Sequence, residues 1–134
     1  MRRAARFGDG WYPYMYTPEM YASSIATVDA ARERDVPVRR GVFIWGCVHE
    51  DRATAERWVV DSLSRTYAQD FARLAAKYAF AGTPDDVVAR LGEYVDAGAE
   101  LVVAGLACPP VEIESTTRLF GTHVLPALRA RGRG

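Results

Sequence analysis

The sequence has no excess of either charge. Seventeen Lys and Arg residues balance seventeen Asp and Glu, for a formal net charge of zero. A dedicated nucleic-acid binder carries a strong basic excess, so no nucleic-acid partner is expected. The arginines that do cluster, Arg2, Arg3 and Arg6 at one end and Arg129, Arg131 and Arg133 at the other, read as solvated helix ends. No apolar run approaches the about 20 residues that span a bilayer, so no membrane partner is expected either. No apolar segment of the signal-peptide kind follows Arg2 and Arg3, and the expectation is a reducing, cytoplasmic setting. Cysteine is scarce. Cys47 and Cys108 stand far apart in apolar stretches, form no CxxC pair and read as buried free thiols. Two distant histidines without a carboxylate cluster argue against a metal centre.

What is present is globular in character. The chain is 49% hydrophobic and 25% charged, which excludes wholesale disorder. Its 134 residues suit one domain whose core needs no disulfide or metal staple. They do not suit a complete (β/α)8 barrel, which takes about 250 residues.

The order of elements is that of an α/β chain. Residues 2–8 read as the end of a helix, with Gly8 as a left-handed cap. Residues 10–16 read as an aromatic strand that ends near Pro13. Thr17-Pro18-Glu19 starts a helix that runs to about Arg34, where Asp35-Val36-Pro37 breaks it. Residues 38–48 form a second strand, apolar in both phases from Val42 to Val48 as in a parallel sheet covered on both faces. From Asp51 an apolar stripe of Ala55, Val59, Leu63, Tyr67, Phe71, Leu74 and Tyr78 predicts one long amphipathic helix. Thr83-Pro84-Asp85 starts another helix, capped at Gly98. Residues 100–107 form a third buried strand. A last helix runs from about Ser115 to Arg131, with Pro126 kinking or dividing it. Every strand is followed by a helix and no hairpin turn occurs, so the sheet is parallel and the chain is one folding unit, residues 1–134.

Three segments together resemble the C-terminal part of the luciferase-like monooxygenase family, TIM-barrel oxidoreductases that use FMN or the deazaflavin F420. They are RRAARFGDGW at residues 2–11, GTPDDVVARLGEYVDAGAELVV at 82–103, and HVLPALRAR at 123–131. The resemblance implies that the three strands are roughly the sixth to eighth of a (β/α)8 barrel. It also implies that the family's N-terminal strands and its glycine-rich phosphate turn are not in this chain. Asp9, Gly10 and Trp11, with Gly82, Thr83 and Pro84, are the family-like positions, and all six read as structural.

Barrel function gathers where strands end and βα loops begin. Tyr14, in phase with Tyr12 and Tyr16, is the tyrosine placed to reach a ring or substrate; core packing is the alternative. His49 and Glu50, at the end of the second strand, suit acid–base work. The alternative is a polar loop in which Glu50 or Asp51 caps the long helix. His123 reads as a satisfied, partly buried histidine. No catalytic group is assigned, because in flavin chemistry the cofactor does the reaction and the protein positions and shields it.

The expected function is therefore that of the C-terminal part of a flavin- or F420-dependent oxidoreductase or monooxygenase acting on a small molecule. The cofactor is not expected to be retained, nor activity shown, by this chain alone. Two alternatives stand. One is a non-catalytic half-barrel or α/β interaction module that self-associates into a homo-oligomer. The other is a small doubly wound α/β binding domain.

Overall fold

Residues 42–48, apolar in both phases, form the heart of a strand that is hydrogen-bonded along both of its edges. The structure is a computed structural model that describes residues 1–33 and 35–131. In chain order the elements begin with α1 (Arg2–Phe7), β1 (Gly10–Trp11), α2 (Pro18–Ala30) and β2 (Arg39–Val48). They continue with α3 (Arg52–Tyr67), α4 (Ala72–Tyr78), β3 (Phe80–Gly82), α5 (Pro84–Asp96) and β4 (Leu101–Leu106). A 3-10 turn at Pro110–Glu112 leads into α6 (Ile113–Leu119), a π-helical turn at Phe120–Val124 and α7 (Leu125–Arg131).

All strand pairs are parallel. Gly10 and Trp11 pair with Arg39 and Arg40, Phe80 to Gly82 with Gly46 to Val48, and Leu101 to Leu106 with Gly41 to Gly46. The amides of Arg39, Phe43 and His49 donate to Asp9, Pro13 and Gly82, whereas the carbonyls of Arg40 and Gly46 accept from Glu100 and Ala107. In a parallel strand alternate residues bond to opposite sides. β1 and β3 therefore follow one another along one edge of β2, and β4 takes the other. The sheet has three lanes, as the sequence implied, although it has four strands.

The two faces of β2 bury different helices. Val42, Ile44 and Val48 pack with Tyr21 and Ile25 of α2, with Val87, Leu91 and Tyr94 of α5, and with Val124. Cys47 packs with Ala55, Val59 and Leu63 of α3, with Phe71, Ala75 and Ala79, and with Ala107. Each such large apolar side chain, fully buried, contributes about 1.5–3 kcal/mol relative to exposure.

Several sequence expectations are corrected. The first strand is ordered only over Gly10–Trp11, and its path returns to the sheet at a bridge between Tyr14 and Phe43. Met15 is left-handed, at φ 59°, which breaks the two-residue alternation. Tyr16 therefore leaves the side of Tyr14 and meets Trp11 edge-on at 5.5 Å. Gly8 is extended, not left-handed, because the chain must run straight into β1. α2 ends at Ala30; Arg34, like Arg133, lies outside the described residues.

The long helix is two helices. Ala68 turns left-handed at φ 52°, and the Ser64 hydroxyl accepts the amide of Phe71 across the break. The stripe holds its phase well enough that Leu63 and Phe71 enter the same core. β3 has no strand signal of its own in the sequence, being three residues long and fixed by its partner. The last helix starts earlier, at the 3-10 turn, and its irregularity lies just before Pro126. Proline has no N–H for the carbonyl four residues back, and the widened turn absorbs that missing bond.

Helix starts follow the predicted chemistry. Thr17 accepts the amide of Met20, Asp51 that of Thr54, and Thr83 and Asp86 form a reciprocal capping box. The Thr83 amide and hydroxyl bond Asp86 at 2.9 and 2.8 Å, and Arg52 pairs with the same carboxylate. These bonds, the Thr83 amide first, hold the Asp86 carboxyl below the usual carboxylate range.

Two outcomes are expected. A Cβ on Gly46 would lie 2.2 Å from the carbonyl oxygen of Phe80, whereas one on Gly121 meets nothing within 4 Å. Gly46→Ala should cost about 1–3 kcal/mol in urea unfolding, while Gly121→Ala should be neutral or stabilising by up to about 1 kcal/mol. Asp86→Asn should destabilise at neutral pH. A depressed carboxyl stabilises above its unfolded value and loses that contribution as pH falls through its folded value. The deficit of Asp86→Asn, followed by thermal melts, should therefore shrink below about pH 4.

Candidate functional site at the C-terminal ends of the strands

β2 ends at Val48, and the next two residues line a cavity of about 580 Å³ between this loop and α6. Its polar lining includes His49, Glu50, Glu112, Glu114, Arg118 and His123, with the hydroxyls of Ser115, Thr116 and Thr122. His49 is held from two sides. Its amide donates to the Gly82 carbonyl at 3.0 Å, and its Nδ1 accepts the Asp51 amide at 2.9 Å. Its ring stands edge-on to Trp58 at 5.0 Å. Asp51, not Glu50, is the helix cap, accepting the Thr54 amide at 2.9 Å. The Thr54 hydrogen bonds draw the Asp51 carboxyl below its ordinary range. Glu50 is exposed at the cavity mouth.

His123 joins the same cavity, which its sequence position does not suggest. It is exposed rather than partly buried, with Nδ1 2.8 Å from the Thr122 hydroxyl. The π-helical turn presents Thr122 and His123 to the cavity alongside Arg118. Arg118 is paired with Glu114 at 2.6 Å, and the Ser115 hydroxyl donates to the Glu112 carboxylate at 2.8 Å.

Tyr14 is elsewhere. It meets Phe43 edge-on at 5.8 Å, and Phe43 meets Trp45 edge-on at 5.0 Å. Trp45 donates its indole N–H to the Tyr67 hydroxyl at 3.1 Å. These rings form an aromatic wall on the sheet face opposite Val42 and Ile44. The wall is open: Tyr12 is 49% exposed, Tyr14 40%, and Leu101 of β4 58%. Strand-end position singles out Tyr14 but not Phe43 or Trp45. Their signal in the sequence is the odd phase of β2, aromatic at both positions while the even phase is aliphatic.

The family-like positions are structural in their contacts. Gly10 and Trp11 form β1, the Asp9 carbonyl accepts the Arg39 amide, and Trp11 stacks on Tyr21 at 5.5 Å. Gly82 anchors the His49 amide, and Thr83 with Pro84 starts α5. Both cysteines are buried, and burial pushes the Cys47 thiol up to about 12, which removes it as a nucleophile at neutral pH. No group of three or more His, Cys, Asp and Glu side chains among the described residues is placed to hold a metal. No helix among the described residues is long and apolar enough to cross a membrane.

A flavin or deazaflavin asks two things of a protein: a wall for its ring and N–H donors for its phosphate. The aromatic wall fits the first. For the second, the caps Thr17, Asp51 and Thr83 each take one first-turn amide, those of Met20, Thr54 and Asp86, and Pro18 and Pro84 bring none to α2 and α5.

The fold has close counterparts. An F420-dependent secondary alcohol dehydrogenase, in complex with an F420–acetone adduct, superposes with a TM-score of 0.78 at 15% identity. The match covers 96% of this chain and 45% of that one. A monooxygenase from Streptomyces bottropensis gives 0.72 at 24% identity, covering 93% of this chain and 44% of that one. A riboflavin lyase with modified FMN and riboflavin gives 0.65 at 14%, covering 98% and 40%. No protein-family model and no curated protein sequence matches the chain. The chain thus spans less than half the length of these structures, and its fold is that of part of a luciferase-like TIM barrel rather than a small doubly wound domain.

Proposed function

We propose that the chain is the C-terminal βα portion of an FMN- or F420-dependent oxidoreductase or monooxygenase that acts on a small molecule. The observation that carries this reading is the match over nearly the whole chain to proteins described with F420, with FMN and as a monooxygenase. When bound, the cofactor supplies the hydride or the activated oxygen. Tyr14, Phe43 and Trp45, set edge to face, give it an aromatic wall on the lumenal side of the sheet. At the upper end of that wall the Trp45 indole N–H is bonded to the Tyr67 hydroxyl of α3. His49 and Glu50, at the end of β2 and on the lining of the cavity, are the groups that would meet a substrate.

Alone, the chain is a poor host. Three lanes leave five of a barrel's eight unfilled, and the first turns of α2, α3 and α5 each already give one amide to a cap. The homo-oligomer reading draws on a specific observation, the apolar face of Tyr12, Tyr14, Leu101 and Val103 beside a β4 edge that has no strand partner among the described residues. Two copies supply six lanes rather than eight, which favours completion by a longer βα segment over closure by a second copy.

Purified 134-residue chain should show no saturable fluorescence change with FMN or F420 and no turnover. Stoichiometric cofactor that survives purification, with turnover, would overturn the inactive-alone part of the reading. In sedimentation, the unmodified chain should associate and Leu101→Glu should reduce that association. A wild-type chain that sediments as a clean monomer would remove the self-association reading.

A further inference from the structure

The loop after β2 fixes a histidine in one tautomer. Asp51 caps α3 with its side chain, and its backbone N–H lies 2.9 Å from Nδ1 of His49. A backbone N–H can only donate, so Nδ1 is an acceptor and its lone pair is used there. A neutral ring in this position carries its proton on Nε2. The ring is kept from turning by the edge contact with Trp58, and its backbone is pinned to Gly82. What His49, a residue of the cavity lining, has left to offer is therefore an N–H donor and no lone pair. That is the opposite of the base that its place in the sequence suggests.

The rest of the lining narrows what this donor can meet. Glu50, Glu112 and Glu114 outnumber the one permanent cation, Arg118, which is already paired with Glu114. An anionic group entering here meets net negative charge. The Ser115 hydroxyl is turned to Glu112 and is not free to donate. The suitable ligand group accepts a hydrogen bond and has no charge of its own. The carbonyl oxygen of a ketone, aldehyde or amide meets both conditions.

We propose that the cavity beside α6 binds an uncharged carbonyl compound, with Nε2–H of His49 donating to its oxygen. Neutral imidazole donors of this kind polarise carbonyl groups without giving up a proton. The cavity volume suits a small organic molecule. The inference uses only the loop, the cavity and its charges, so it stands or falls separately from the flavin reading.

The chain has two histidines, so long-range proton–nitrogen spectra of chain labelled with 15N-histidine are assigned with one variant, His123→Gln. His49 should show a protonated Nε2 and a bare Nδ1. Acetone should shift the Nε2 resonance, and acetate should shift it much less. His49→Gln, which keeps an N–H near that place, should retain acetone binding. His49→Phe, which keeps a ring against Trp58 but no donor, should weaken it about tenfold, as seen in the acetone-induced shifts of the neighbouring backbone amides. A ring protonated on Nδ1, an equal response to acetate, no response to acetone, or a His49→Phe chain that binds as well as the parent would each overturn the proposal.

Discussion

The structure depends on β2 being bonded along both edges. A strand with a single partner would leave a row of amides to water, and a stretch as apolar as residues 42–48 would have no stable place there. Here β1 and β3 divide one edge end to end, and β4 takes the other. The short β3 gains most from this arrangement. Its three residues have no independent tendency to be a strand, and the bare backbone at Gly46 lets them approach. The position of β3 in turn brings Gly82 under the His49 amide, so the pairing of β2 also determines where the cavity loop sits.

The two faces of that strand divide the labour. The even side chains are covered by α2, α5 and the last helix, and they hold the molecule together. The odd ones carry aromatic rings, and only their upper part is covered, by α3 and α4. The uncovered part of that face, with Tyr12, Tyr14, Leu101 and Val103, is apolar surface of the kind that monomeric proteins rarely present.

Much of the fold is legible in the sequence because its signals are local. The Thr-Pro starts of α2 and α5, the two-phase apolar run of β2 and the alternation of βα units all act over a few residues. The parts that the sequence conceals are decided by partners. β3 is a strand because Gly46 to Val48 lie beside it. The stripe from Ala55 to Tyr78 has the pattern of an unbroken helix because a break at Ala68 leaves Phe71 on the same apolar side. In the site, His49 and Glu50 stand out from their place at a strand end. His123 joins them only through a widened helical turn that no spacing rule announces. The tautomer of His49 is beyond reach of sequence, since it depends on one amide two residues further along.

That widened turn also divides the last helix mechanically. α6 leans on the cavity, while α7 is tied to the far end of α5, where Arg131 pairs with Asp96 at 2.8 Å. The turn itself is anchored, with Val124 buried in the core beside Val87 and Leu91 of α5. One helix therefore serves two neighbours, its first half lining the cavity and its second half lying along α5.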